Sequence, residues 1–176
     1  GENYFISNGS GFYILNLRKG GVSKEIKYNI KNMLYRMEAI ACNARGEVWV
    51  SFFGGGILVY SQDGKLIKEF SPEETLGAEA EAFIDLRFSP DGSPWYSDGK
   101  DLRRWNGAGF IRVPLPPGEY VYSLDFASAS QLWVARFGSL ERYEWDGVVL
   151  RLRERVTAQE GLPSVETRSV LVTSTG

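Results

Sequence analysis

GEVWVSFFGGGILVYSQDGKLIKEF, Gly46 to Phe70, decides how the rest of the chain is read. It holds an apolar run with a tryptophan (VWVSF), a glycine cluster, a second apolar run (ILVYS), an Asp-Gly pair and a third run (LIKEF). Short runs of β-branched and aromatic residues bounded by Gly and Asp read as strands joined by tight turns. Such turns need positive φ, which glycine reaches without steric cost. Three strands stitched this closely form a meander, which either stands alone or is one copy of a repeat.

The chain repeats it. YFIS (Tyr4 to Ser7), VWVS (Val48 to Ser51), PWYS (Pro94 to Ser97) and LWVA (Leu132 to Ala135) occupy equivalent places, each with an aromatic anchor second: Phe5, Trp49, Trp95 and Trp133. Second strands follow at Phe12 to Leu17, Ile57 to Ser61, Leu102 to Asn106 and Leu140 to Trp145. Third strands follow at Val22 to Tyr28, Leu66 to Phe70, Phe110 to Val113 and Val148 to Arg153. A fourth strand leads to the next anchor in MEAIACNARGE, AFIDLRFSPDGS and YVYSLDFASASQ, and TRSVLVTSTG closes the series with a strand at Arg168 to Thr173. The anchors lie 44, 46 and 38 residues apart. Four-stranded meanders at this period are the signature of propeller blades, whose twisted sheets pack radially and bury both faces. The expectation is an all-β, β-propeller-like chain of four blade units, part or half of a larger propeller, with approximate units 3–46, 47–92, 93–130 and 131–176. Trp49 and Trp133 are expected to be buried between blades.

Composition agrees and removes several functions. Apolar residues make up 43% and aromatics 14%, with 20 glycines, which suits a folded protein of strands and tight turns. Twenty basic and 22 acidic residues leave a net charge of −2, with no basic surplus for nucleic acid or an anionic membrane surface. No apolar run approaches a membrane span, and the N-terminus lacks the pattern of a signal peptide. The single cysteine, Cys42, has no internal disulfide partner, and its neighbours Ile40 and Ala41 predict a buried thiol. The chain opens inside a strand and Gly176 falls where a further anchor would begin, which reads as a piece excised from a larger protein.

The pattern LWVARFGSLERYEWDG (Leu132 to Gly147), followed by EGLPS (Glu160 to Ser164) and TRSVLV, resembles the two-component regulator propeller repeat of extracytoplasmic sensor regions in bacterial signalling proteins. The copy from Val48 to Phe70 is similar. The copy at Tyr4 lacks the tryptophan, and the copy at Pro94 lacks both an aliphatic residue at that position and the Gly-Leu-Pro signature. The resemblance implies a periplasmic or extracellular sensing propeller, often for carbohydrate-related cues, whose output lies in other parts of a membrane-tethered parent.

The chain has no histidine, which excludes Ser-His-Asp and Cys-His nucleophiles, His-ligated metals and imidazole bases. Two carboxylate pairs remain. Glu79 and Glu81 in GAEAEAF read as a solvated connection rather than a catalytic pair with split pKa values. Asp98 and Asp101 in SDGKD read as turn chemistry, because no calcium-loop spacing surrounds them. Gly54 to Gly56 lacks the Lys-Ser/Thr of a phosphate loop and serves a turn. The reading is therefore non-enzymatic, without metal or cofactor.

In a propeller the connections between units and the loops after each anchor strand converge near the central axis, on a rigid scaffold. The ligand-binding candidates there are Tyr35, Arg36, Phe52, Phe53, Tyr120, Arg136, Phe137 and Arg168. Aromatic rings and guanidinium forks suit a small planar, polar or carbohydrate-like ligand. The competing reading packs Phe52, Phe53 and Phe137 between blades and leaves Arg36 and Arg168 in water. Two long polar connections, SPEETLGAEAEA and ERVTAQEGLP (Glu154 to Pro163), are either functional or mobile. The function expected is sensing or ligand recognition, and the alternative is a scaffold for protein–protein interaction. Pairing of Arg168–Thr173 with Asn3–Ser7 would close the edges, either in one small ring or in a homodimer of eight blades, and the wider ring relieves crowding of Tyr122, Phe88 and Met37 on the axis.

Overall fold

Each apolar run in the sequence becomes a strand. The computed structural model describes residues 3–7, 11–16, 18, 20–28, 36–54, 56–75 and 85–173. Its strands are β1 (Asn3–Ser7), β2 (Gly11–Asn16), β3 (Gly21–Lys27), β4 (Met37–Cys42), β5 (Val48–Phe52), β6 (Ile57–Tyr60), β7 (Leu66–Phe70) and β8 (Asp85–Phe88). The series continues with β9 (Pro94–Ser97), β10 (Leu102–Trp105), β11 (Phe110–Val113), β12 (Val121–Ser128), β13 (Gln131–Arg136), β14 (Ser139–Trp145) and β15 (Leu150–Val156). They form four antiparallel meander sheets, β1-β2-β3, β4-β5-β6-β7, β8-β9-β10-β11 and β12-β13-β14-β15. The first has three strands among the described residues, the others four. The only α-helical element described is the single turn Pro72–Thr75.

The strand that leads to an anchor is hydrogen-bonded to that anchor strand, so Met37 pairs with Phe52 and Asp85 with Ser97. The period of the sequence is thus offset by one strand from the period of the sheets. The leading strands β4, β8 and β12 lie beside one another on the inside of the assembly.

Alternation along each strand fills the gaps between sheets. In β5, Val48, Val50 and Phe52 enter a core with Phe12, Ile14 and Ile26 of the first sheet, while Trp49 enters a second core with Leu86 and Tyr96 of the third. In β6, Leu58 and Tyr60 join the former, Ile57 and Val59 the latter. All five residues of β5 are buried, because both faces are covered. A third core joins Trp95, Leu102 and Val113 to Leu124, Leu132, Val134 and Tyr143. Each such side chain contributes about 1.5–3 kcal/mol on leaving water.

Several expectations need correction. The same alternation sends Met37 into the first core, where its Sδ accepts from Tyr28 Oη at 3.2 Å, and sends Phe88 onto Trp49, with ring centroids 5.6 Å apart. These residues therefore do not crowd the axis. Trp133 is half-buried rather than enclosed: no sheet among the described residues covers its face, and the Arg142 guanidinium stands 6.0 Å over it. Cys42 is exposed: it shares a face with Val48 but stands at the end of β4, beside an open cleft toward Asn3, Tyr4 and Phe5 of β1. The last third strand starts at Leu150, since Asp146 Oδ1 accepts from the N–H groups of Val148 and Val149 and draws both into the turn. That strand runs on to Val156 and so takes up the start of ERVTAQEGLP, whose remainder forms a capped 3-10 turn at Ala158–Glu160.

Arg168–Thr173 forms no backbone ladder. It lies extended beside β12, with Val170 N–H donating to Ser123 Oγ at 3.3 Å and Val172 N–H to Asp125 Oδ2 at 2.7 Å. Both bonds go to side-chain acceptors of β12 rather than to its backbone. Among the described residues β1 pairs with β2 alone.

The β8–β9 turn gives a test of this local chemistry. Partial burial pushes the Asp91 carboxyl up, but hydrogen bonds from Ser89 Oγ and Ser93, together with the Arg104 guanidinium, outweigh it and bring the pKa down to about 2. Its contribution to stability is present above the ordinary value of 3.8 and is lost as pH falls through about 2. Asp91→Ala should therefore lower the melting temperature at pH 7 by an amount that persists to about pH 4 and closes toward pH 2. Thermal melts against pH check this, and a deficit constant down to pH 2 contradicts it.

Candidate functional site

The registers place the start of each leading strand and the end of each outermost strand at the same end of its sheet. Ala39, Ser51, Ile57 and Phe70 lie in one row, with Met37 and Phe52 one step beyond it, and Asp85, Ser97, Leu102 and Val113 lie in the next. At this crossover end the chain passes from sheet to sheet, and the loops after the anchor strands are tied to the passing segments. Phe53 N–H donates to Arg36 O at 2.8 Å, Val121 N–H to Gly99 O at 2.9 Å, and Phe137 N–H to Tyr120 O at 2.9 Å. Phe137 also forms an isolated bridge with Glu166.

Three of the candidates come together here. Tyr120 is 42% exposed and Phe137 39%. The Tyr120 ring meets Tyr122 edge to face at 5.1 Å, and the Arg168 guanidinium stands 5.5 Å from the centre of Tyr122 while donating to Glu166 Oε2 at 3.1 Å. Tyr120 also lies against Gly99, where a Cβ would come within 2.7 Å of its Cε2; Gly99 has φ +88°, so only glycine suits the site on both counts. Arg36 and Phe53 form a separate exposed pair, and Arg36 holds Glu38 at 2.7 Å. Phe52 is fully buried, edge-on to Tyr28 at 5.1 Å, and belongs to the first core. Tyr35, like Glu79 and Glu81, lies outside the described residues.

Arg136 is 2% exposed and is held inside the last sheet. Its Nη2 donates to Pro116 O at 3.1 Å and its Nη1 lies 3.6 Å from Glu141 Oε2, while Nε and Nη1 have no hydrogen-bond partner. Glu141 also accepts from Tyr143 Oη, from Arg155 Nε at 2.8 Å and from Ser139 Oγ at 3.2 Å. The other buried carboxylates are likewise matched to arginines: Asp98 to Arg103 at 2.9 Å, Asp101 to Arg112 at 2.6 Å and Asp85 to Arg87 at 3.2 Å. Burial pushes the Asp85 carboxyl above the usual range, against the pull of Arg87 and hydrogen bonds from Ser123 and the Leu124 and Leu86 N–H groups. The Asp98–Asp101 turn thus spends its oxygens on arginines and backbone N–H groups.

The arrangement places rings, a guanidinium held over one of them and a carboxylate at one end of the sheets. Sequence reasoning missed Tyr122 and Glu166 as members of it. An aromatic alternating with Tyr120 across one residue was the available signal for Tyr122; Glu166 has none, since its place depends on a contact with Phe137 from another segment.

No family model matches the chain, and no curated protein matches it. Among solved structures, it is similar to the extracellular domain of a putative hybrid two-component system from B. thetaiotaomicron, with TM-score 0.65 and 18% identity over 93% of this chain and 23% of that one. It is also similar to virginiamycin B lyase from Staphylococcus aureus, with TM-score 0.65 and 16% identity over 83% of this chain and 49% of that one. A protein of unknown function from Bacteroides caccae gives TM-score 0.61 and 16% identity, over 89% and 57% of the two chains. The chain therefore spans between 23% and 57% of the length of these structures. At such identities the likeness shows the fold: four sheets of a β-propeller.

Proposed function

We propose that this chain is a recognition segment of a propeller, which binds a small polar or carbohydrate-like ligand at its crossover end without chemically changing it. The observation that carries the reading is the exposure of Tyr120 and Phe137, joined by a backbone hydrogen bond, together with the Tyr120–Tyr122 ring contact and the Arg168 guanidinium over Tyr122. Rings supply an apolar platform and the guanidinium a directional donor set, a pairing suited to molecules with one apolar and one polar face. The pairing of every buried carboxylate among the described residues with an arginine and the lack of histidine favour binding over acid–base chemistry. In this reading the chain belongs to an extracytoplasmic sensor of a bacterial signalling protein, and the likeness to an extracellular sensor domain supports it. The edge of β1 and the segment 168–173 are then the two surfaces through which copies would pair.

A ligand found by thermal-shift screening of sugars and small polar metabolites should bind Tyr120→Ala, Phe137→Ala and Arg168→Ala at least about tenfold more weakly, with melting temperatures of the free proteins little changed. Binding that survives all three substitutions overturns the assignment, as does turnover of the ligand.

A further inference from the structure

At the opposite end, where the hairpin turns lie, the sheets β4–β7 and β8–β11 part around a cleft of about 490 Å³. That volume falls within the range of small-molecule sites. Its wall is aromatic. Trp49 lies 5.6 Å from both Phe70 and Phe88, and Phe70 lies 5.2 Å from Trp105, measured between ring centres. Trp49 and Phe70 are buried, so Phe88 and Trp105, both half-buried, offer ring surface to an occupant.

The charges of the lining decide what that occupant is. Asp91 is matched by Ser89, Ser93 and Arg104, and Glu47 accepts from Asn43 Nδ2 at 2.6 Å. Both acids are thereby satisfied. Lys68 and Arg45 line the same cleft and have no carboxylate partner among the described residues. The Lys68 ammonium is held 4.1 Å from the centre of Phe70 and 4.7 Å from that of Trp105. Those rings fix its position without giving it an oxygen acceptor. An ammonium and a guanidinium, both donors only, therefore share an aromatic-backed cleft in which Arg45, Lys68 and Arg104 outnumber the carboxylates of Glu47 and Asp91, each already hydrogen-bonded within the lining.

We infer that this cleft binds a small ring-bearing carboxylate, with the ring on Trp105 and Phe88 and the carboxylate on Lys68 and Arg45. The site is separate from the crossover end and does not rest on the function proposed for it. Two sources supply this chemistry, a uronic-acid sugar and an aromatic acid.

Tryptophan fluorescence and calorimetric titration with glucuronate, benzoate and their neutral counterparts, glucose and benzyl alcohol, test it on the 176-residue chain. At least one acid should saturate below about 10 mM, with its neutral counterpart at least about tenfold weaker. Saturation by glucuronate alone assigns the sugar, and by benzoate alone the aromatic acid. Lys68→Met and Arg45→Met, both at exposed positions, should each weaken the acid by roughly tenfold with little change in melting temperature, while Tyr120→Ala leaves it unaltered. The inference is overturned if neither acid saturates, if the neutral counterpart binds equally, or if both charge variants bind like the parent.

Discussion

Trp95→Ala is expected to cost about 3–5 kcal/mol, while Trp133→Ala costs about 1 kcal/mol, although the two residues hold the same place in the repeat. Trp95 is 1% exposed and sits between two sheets, 5.5 Å from Phe126 and 5.2 Å from Trp145. Its truncation opens a cavity that the flanking strands, hydrogen-bonded on both sides, cannot collapse into. Trp133 faces outward under Arg142, so its truncation loses partial burial and one cation–π contact. Trp95 Nε1 has no hydrogen-bond partner, so Trp95→Phe removes a costly buried donor along with some volume and should lie nearer the parent than Trp95→Ala. Chemical denaturation of the three variants checks the order, and equal losses for Trp95→Ala and Trp133→Ala refute it.

The second large effect is expected at Glu141, which is 1% exposed and faces a guanidinium that is 2% exposed. Glu141→Gln keeps the shape but leaves Arg136 as a buried charge without its counter-ion, at a cost of about 3–5 kcal/mol. Removing the charge as well, in Arg136→Met/Glu141→Gln, should recover part of that loss, because the stranded cation is gone. A double variant less stable than Glu141→Gln alone would show that Arg136 contributes through its bond to Pro116 rather than through the pair. Gly118 closes the same pocket: a Cβ there would come 2.0 Å from Arg136 Nη1, so the backbone passes over the guanidinium only because it carries no side chain.

Apolar runs bounded by turn residues were sufficient to reveal strands such as β5 and β6, which are covered on both faces and so read as continuous rather than alternating. The anchors were legible for the same reason. The offset between repeat and sheet was not, since a leading strand such as Met37–Cys42 has two neighbours in sequence and only hydrogen bonding chooses between them. The exposure of Trp133 and the burial of Arg136 were also hidden. The first depends on whether another sheet covers it, the second on the Pro116–Gly118 backbone arriving from a connection about 20 residues away. Of the residues at the crossover end, Tyr120, Phe137 and Arg168 were legible as residue types in the connecting segments. The cleft at the other end joins Lys68 of one sheet to Trp105 of the next, and no local pattern links them.

The shared end at which the chain enters and leaves each four-stranded sheet has a mechanical consequence. Tension along the chain pulls the inner and outer strands of a sheet apart sideways, at right angles to their length. Antiparallel bonds also lie across the strands, so such a load falls on one bonded pair at a time, as in a zipper, instead of on the whole ladder in shear. Each four-stranded sheet is therefore weak against stretching along the chain. Its resistance comes from the aromatic seams to its neighbours, which have to slide before the ladder can peel.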